Sequence, residues 1–264
     1  MRELSIRALS GIIYVTVLIG SILYSKEAFL LTFYVLMMLC LFEFKKIIKL
    51  SYRWTFLVAT LVYFSFAKLS GFNSKYLALS IIVSFFFPFI YQLFKHNISL
   101  TSSKLGHYFL ALAYIVVPFV LLIQIPFIKD DYHPLILIGV FIIIWVDDTF
   151  AYLTGSTIGR TKLYTKVSPN KTVEGALGGL IAALVASYFI SIYITELSLS
   201  NWIVVALILV VFGLLGDLIE SKFKREAGLK DSSSLIPGHG GFLDRLDSII
   251  FAAPFVYVYL HIVL

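Results

Sequence analysis

The sequence predicts an all-α polytopic integral membrane protein with about nine transmembrane helices and a cytoplasmic N-terminus. Of its 264 residues, 60% are hydrophobic and only 14% are charged. Soluble domains contain about 45–50% apolar and about 25% charged residues. The positive mean hydropathy of +0.96 also indicates a membrane protein. Long apolar runs and an uneven distribution of Lys and Arg complete the prediction.

Nine apolar runs approach the length needed to cross a bilayer as a helix, which is about 20 residues. They are Ala8–Tyr24, Ala28–Phe44, Trp54–Ser70, Tyr76–Phe94, Tyr108–Phe127, Pro134–Leu153, Val173–Thr195, Trp202–Leu218 and Ile249–Val263. Backbone polar groups must be satisfied inside the bilayer, and no alternating strand pattern is present, so these runs are predicted to be helices. The first run is interpreted as a retained span, because no signal-peptide cleavage pattern follows it.

The cationic residues predict the orientation. With the N-terminus in the cytoplasm, 17 of the 21 Lys and Arg residues fall on the cytoplasmic side. Only Lys26, Lys68, Lys75 and Lys129 fall on the other side. This asymmetry follows the positive-inside rule. The single cysteine, Cys40, excludes an intramolecular disulfide and gives no sign of an oxidising compartment.

Carboxylates occur at the predicted cytoplasmic ends of two spans. Asp147 and Asp148 end the sixth, and Asp217 with Glu220 ends the eighth. Charged residues inside apolar helices indicate function by default. Asp217 and Glu220 are three residues apart and share a helix face, with Ser221 beside them. The alternative is that Asp147 and Asp148 are interfacial carboxylates paired with lysines of the next loop.

The loop Glu220–Ser248 combines three kinds of residue suited to a polyphosphate. Its cations are Lys222, Lys224, Arg225 and Lys230, and its glycines are Gly238, Gly240 and Gly241. Cations bind phosphate oxygens, and glycines let backbone N–H groups approach them. Asp244 and Asp247 share one helix face, where a hard cation such as Mg²⁺ could bridge carboxylates and phosphates. The alternative, a basic anchor for anionic lipids, leaves the glycines, His239 and this acidic pair unexplained.

The loop Gly155–Thr172 precedes another helix. Ser168 or Asn170 is expected to cap that helix, whose N-terminus then attracts anions. Lys171 and Thr172 add a charge and a hydroxyl at the same place. An ordinary capped helix start remains the alternative.

These residues resemble a known family. The 27-residue run from Ser221 to Asp247 is similar, at every fixed position, to the signature of the phosphatidate cytidylyltransferases, or CDP-diacylglycerol synthases. Asp148–Tyr152 and Ser168–Gly175 are also similar, with Asn170 where the family often has lysine. The resemblance covers most of the C-terminal half, whereas the N-terminal spans are similar only in character.

The resemblance implies a nine-helix membrane enzyme, a homodimer, that condenses CTP with phosphatidic acid and releases pyrophosphate. It also implies a divalent metal, Mg²⁺ or another, with a monovalent cation as a further candidate. A single domain over 1–264 is expected, with N-terminal spans in 1–127 and the catalytic half in 134–264. The site is expected to face the cytoplasm from a bacterial-type inner membrane, and no nucleic acid is expected as a partner.

The resemblance and the residue types together assign expected roles. The phosphate-binding or catalytic residues are Lys222, Lys224, Arg225, Lys230 and His239. The substrate-binding residues are Ser168, Lys171, Thr172, Gly240, Gly241 and Arg245. The metal ligands are Asp217 and Asp244, with Asp148, Asp231 and Asp247 as second choices.

Two rival functions stay open at this point. The chain could use CTP on another lipid, such as a polyprenyl or archaeal substrate. It could also be a transporter with Asp147 and Asp148 on an ion path. A transporter is expected to have paired broken helices near the bilayer midplane, whereas the polar residues here gather at one face.

Overall fold

The computed structural model describes residues 2–50, 54–68, 79, 84, 86–94, 104–127 and 131–264. The helices are α1 (Arg2–Tyr24), α2 (Lys26–Ile47), α3 (Trp54–Lys68), α4 (Phe87–Leu93), α5 (Lys104–Ala111), α6 (Val117–Leu122), α7 (Pro134–Ile158), α8 (Val173–Tyr193), α9 (Leu199–Glu226) and α10 (Leu243–Val263). A π-helical turn, Leu112–Val116, joins α5 to α6 into one rod. The strands are β1 (Lys162–Tyr164) and β2 (Ser168–Thr172). The prediction of a helical, polytopic membrane protein is confirmed.

Seven helices in the described part of the chain are long and apolar enough to cross a membrane, and Trp54–Ala67 is a shorter apolar helix. Most of the predicted span Tyr76–Phe94 lies outside the described residues, and α4 is its last part. The count of nine therefore stays a prediction.

Contacts between connecting segments define two ends of the helix bundle. At the loop end, which carries the β-strands and residues 227–242, the Tyr164 hydroxyl donates to the Leu93 carbonyl. At the far end, the Tyr132 hydroxyl donates to the Ile22 carbonyl, and Gln124 donates to the Phe66 carbonyl. Helix α3 and the rod of α5 and α6 therefore both end at the far end, as α1 does.

Two helices extend beyond their predicted ends. Helix α9 has 28 residues, which makes it about 42 Å long at 1.5 Å per residue, whereas the hydrocarbon core is about 30 Å thick. Lys222, Lys224 and Arg225 therefore belong to α9, and their predicted loop position was wrong. Helix α7 continues to Ile158 rather than Leu153. Polar residues lowered the hydropathy there without ending the helix.

A β-hairpin that the sequence analysis did not predict directly precedes α8. Strands β1 and β2 are antiparallel, with Lys162 opposite Thr172 and Tyr164 opposite Ser168. The Thr172 hydroxyl accepts the Gly175 N–H at 3.1 Å and caps α8. The predicted caps, Ser168 and Asn170, were wrong, because the capping residue must directly precede the first helical residue, here Val173.

Aromatic packing joins the N-terminal helices to α9. The Phe44 ring of α2 lies 4.9 Å from the Tyr114 ring and 5.2 Å from the Phe223 ring, measured between centroids. Phe44 and Tyr114 are fully buried. This cluster fixes the end of α2 against the part of α9 that carries the predicted cations.

Candidate active site

A cavity of about 690 Å³ lies between α7, α8, α9, α10, the β-hairpin and the loop before α10. Six carboxylates line it, from Asp147, Asp148, Asp217, Asp231, Asp244 and Asp247. Four cations also line it, from Lys162, Lys171, Lys224 and Arg245. Carboxylates and cations therefore share one wall. Such a wall suits an anionic substrate that arrives with a hard cation.

Close packing of α7 on α8 gives the cavity its first wall. A Cβ atom added to Gly175 would lie 2.7 Å from the Ala151 carbonyl oxygen. One added to Gly179 would overlap a carboxylate oxygen of Asp147. Small residues allow membrane helices to approach this closely. The two glycines therefore allow α8 to pack directly beside Asp147.

A second close approach joins α9 to α10. A Cβ atom added to Gly216 would lie 2.5 Å from the Cβ of Phe251 and 2.7 Å from the Asp247 carbonyl oxygen. Asp217 directly follows this glycine, and Asp247 belongs to the facing backbone. The contact explains how carboxylates from two helices reach one cavity.

Lys171 of β2 and Asp217 of α9 form an ion pair with a distance of 2.5 Å between Nζ and Oδ2. Their side chains are 27% and 29% exposed. Ion pairs with solvent access contribute only about 0–1 kcal/mol to stability. The pair is therefore better explained by the chemistry of the cavity than by the stability of the fold.

Lys224 brings a positive charge from α9 to the start of α10. Its Nζ lies 2.6 Å from Oδ1 of Asp244. It also pairs with Glu220, which is fully buried one turn earlier on α9. A lysine between two carboxylates keeps that charge at the cavity wall.

Asp244 accepts hydrogen bonds from the loop before α10 as well as from Lys224. Its Oδ2 accepts the Gly241 N–H at 2.7 Å, the Ser232 N–H at 2.9 Å and the Ser232 hydroxyl at 2.8 Å. Hydrogen bonds to an ionised group are stronger than neutral ones. Asp244 therefore organises residues 227–242 around the cavity.

Glu43 of α2 reaches the same loop, and the sequence analysis missed it. Its carboxylate is fully buried and accepts the N–H groups of Phe242 and Leu243 at 3.1 and 2.8 Å. It also accepts the hydroxyls of Ser232 and Ser233 at 3.1 and 2.5 Å. The available signal was a lone glutamate near the end of an apolar run.

His239 packs against α1. Its Nδ1 lies 2.8 Å from the Ser10 hydroxyl, and a Cβ on Gly238 would lie 2.7 Å from the Arg7 side chain. Partial burial, then the positive charges of Arg245 and Arg7, lower the pKa of His239. The imidazole is therefore neutral near pH 7.

Several residues that the sequence analysis assigned to the site lie near the cavity but do not line it. Lys222 donates to the Gln92 and Leu93 carbonyls at 2.7 and 3.2 Å. Arg225 donates to the Leu229 carbonyl at 3.2 Å. The structure places Lys222, Arg225, Lys230, His239, Ser168, Gly240 and Gly241 outside the lining. Their direct contact with substrate stays a prediction.

The other predicted residues do meet at the cavity. They are Lys171, Thr172, Asp217, Lys224, Asp244, Arg245 and the second choices Asp148, Asp231 and Asp247. Arg245 is held by two hydrogen bonds to the His239 carbonyl, at 3.1 and 2.9 Å. Lys162, from β1, is a further cation that the sequence analysis did not select.

The donor set fits a divalent metal that is shared with a substrate. No three His, Cys, Asp or Glu side chains within the described residues form a complete metal cluster. Mg²⁺ typically takes one or two carboxylates together with substrate phosphates and water, so it does not need one. The oxygen donors of Asp217 and Asp244 suit that mode.

Comparisons with known proteins agree with the resemblance. Residues 5–263 match the Cytidylyltransferase family. A phosphatidate cytidylyltransferase of Bacillus subtilis is 33% identical over 97% of this chain and 97% of that protein. The alignment with one from Haemophilus influenzae is 47% identical over 48% of this chain and 46% of that protein. One from Staphylococcus aureus is 48% identical over 46% of each. The chain belongs to the cytidylyltransferase family and is thus a nucleotidyltransferase enzyme.

Proposed function

We propose that the chain is a phosphatidate cytidylyltransferase, which makes CDP-diacylglycerol and pyrophosphate from CTP and phosphatidic acid. The observation that supports this most is the cavity that joins lysines and aspartates from three helices, the hairpin and the loop before α10 at one end of the bundle. Both substrates are phosphate anions, and one is anchored in the bilayer. The Bacillus subtilis relative, which aligns over 97% of its length, is named phosphatidate cytidylyltransferase.

The reaction is an in-line displacement at phosphorus. A phosphate oxygen of phosphatidic acid attacks the α-phosphorus of CTP, and the bond from that phosphorus to the bridging oxygen of the β-phosphate breaks. Pyrophosphate leaves with the electron pair of that bond. Such transfer depends on alignment and charge neutralisation more than on covalent chemistry by the protein.

The lining residues supply that alignment and charge. Lys171, Lys224 and Arg245 neutralise phosphate oxygens from three sides of the cavity. Asp217 and Asp244 would hold the divalent cation, which when bound shields the negative charge of the triphosphate. The Thr172 hydroxyl accepts the Gly175 N–H, and it keeps one proton that it can donate to a substrate oxygen.

The direct test is incubation of the purified chain in detergent with labelled CTP, Mg²⁺ and phosphatidic acid. We expect labelled CDP-diacylglycerol and one pyrophosphate for each molecule formed. A panel of polyprenyl and archaeal lipid phosphates, assayed in parallel, decides the lipid class. Turnover of CTP on one of those lipids and none on phosphatidic acid would overturn the proposed substrate.

The proposed location is the cytoplasmic face of the bacterial inner membrane. Lys230 is exposed at the loop end, and Glu196 is exposed at the far end. In a Cys40→Ala background, Lys230→Cys should react with an impermeant maleimide only in inside-out vesicles. Glu196→Cys, the matched control, should react only from the outside. The reverse labelling pattern would contradict the cytoplasmic assignment.

Gly241→Ala is expected to lower activity about tenfold or more, in the range seen when groups around a catalytic centre shift. An added Cβ would overlap the Ser232 hydroxyl and lie 2.6 Å from both Glu43 oxygens. The measurement is the initial rate of CDP-diacylglycerol formation.

The matched control for Gly241→Ala is Gly228→Ala in the same loop. Gly228 has a φ of +73° and nothing within 4 Å of an added Cβ. It adds backbone strain without a collision, so near-normal turnover is expected. Equal losses in the two variants would mean that the collision is not what matters.

A further inference from the structure

The Glu43 carboxylate of α2 accepts four hydrogen bonds from the loop before α10 and from the first residue of α10. Its carboxylate has no solvent exposure. Its hydrogen-bond partners within the described residues are Ser232, Ser233, Phe242 and Leu243, which lie at least 189 residues later in the chain. A buried carboxylate is costly unless such bonds satisfy it.

Two of these bonds replace a missing helix cap. The residue at the N-cap of α10, Phe242, makes no side-chain capping bond. The first N–H groups of a helix have no partner inside the helix and favour a negative charge. The Glu43 carboxylate accepts the N–H groups of Phe242 and Leu243. It therefore caps α10 from a different helix, directly before Asp244.

The third bond leads to Asp244 itself. The Ser232 hydroxyl lies 3.1 Å from Oε2 of Glu43 and 2.8 Å from Oδ2 of Asp244. A hydroxyl has one proton to donate, so the two carboxylates compete for it. The position of the Ser232 side chain thus depends on both carboxylates.

We infer that Glu43 is a positioning residue for Asp244. It fixes the start of α10 and the Ser232 hydroxyl, and through them the direction in which the Asp244 carboxylate enters the cavity. Glu43 does not line the cavity described above, so it acts through these contacts and not on the substrate. The inference rests on the proposed function, because Asp244 is a reaction residue only if the cavity transfers a cytidylyl group.

A purely structural role makes a different prediction. If Glu43 only stabilised the fold, its replacement would lower the folded fraction and leave the turnover of the folded molecules unchanged. If it positions Asp244, folded molecules turn over more slowly and need more Mg²⁺. The two roles therefore separate when rates are expressed per folded molecule.

The test variant is Glu43→Gln, which keeps the size but replaces one acceptor oxygen by a donor. We expect kcat to fall about tenfold and the Mg²⁺ concentration for half-maximal rate to rise, as for other groups that orient metal ligands. The KM for phosphatidic acid should stay near that of the wild type. The increase in melting temperature on adding Mg²⁺ and CTP should also shrink, which gives a readout without turnover.

The matched control is Tyr63→Phe. The Tyr63 hydroxyl donates to the Leu30 carbonyl at 2.7 Å, in the contact between α3 and α2. This variant loses a part-buried hydrogen bond of the N-terminal half without touching the loop before α10. Its melting temperature should fall, while its kcat per folded molecule and its Mg²⁺ requirement should match those of the wild type.

A double variant tests the route through Ser232. Ser232→Ala combined with Glu43→Gln should cost less than the product of the two separate losses, because both disturb one contact chain. A folded Glu43→Gln protein with wild-type kcat and Mg²⁺ requirement would overturn the inference and leave the proposed function intact. An inactive wild type, assayed beside it with CTP and phosphatidic acid, would instead contradict the proposed function.

Discussion

Asp244→Asn should reduce CDP-diacylglycerol formation about 100-fold or more, the loss typical when a group that stabilises transition-state charge is removed. The change deletes a negative charge that Lys224 contacts at 2.6 Å. The change also replaces one carboxylate oxygen, which accepts hydrogen bonds, by an NH₂ group, which only donates them. The amide therefore cannot accept with both side-chain positions, as the carboxylate does with Gly241, Ser232 and Lys224. The measurement is the initial rate at saturating Mg²⁺.

The matched control for Asp244→Asn is Asp131→Asn, the same substitution at an exposed residue of the far end. Its rate should equal that of the wild type. Melting temperatures of both variants in detergent show whether each is folded. A folded Asp244→Asn enzyme that kept more than half of the wild-type rate would contradict the assignment of Asp244 to the reaction.

The second large effect is expected at the ion pair between Lys171 and Asp217. Lys171→Met removes a charge from the phosphate-binding wall, and Asp217→Asn removes a proposed metal ligand. Each should lower the rate about 100-fold or more. Because the 2.5 Å pair is partly exposed, its loss should change the melting temperature only slightly.

A double-variant cycle distinguishes two explanations of this pair. If the residues only neutralise each other, the neutral combination of Lys171→Met with Asp217→Asn should recover activity. If each contacts substrate or metal, the combination should be at least as slow as the slower single variant. Recovery to near the wild-type rate would therefore exclude both residues from direct participation.

The sequence predicts the helical class and several helix starts well, because these depend on local signals. The predicted starts at Pro134 and Val173 coincide with those of α7 and α8. Helix ends were less accurate. The stretch after Leu218 is polar but has good helix formers, so α9 continues to Glu226 beyond its apolar part.

The site was only partly predictable, for a physical reason. A pattern of residue types shows that Lys222 and Lys224 both suit phosphate, but it does not show where each side chain points. In the structure Lys224 reaches the cavity, while Lys222 turns to the end of α4. The hairpin was missed because Pro169 and the polar residues around it have low strand propensity.

The contact between Glu43 and the loop before α10 has a consequence for biosynthesis. Glu43 is translated about 190 residues before Ser232 and Ser233. At a synthesis rate of about 5–20 residues per second, its partners appear roughly 10–40 s later. During that interval the nascent chain holds a carboxylate at the end of α2 without the groups that later enclose it. The cap is thus completed only when Phe242 and Leu243 have emerged, 199 and 200 residues after Glu43.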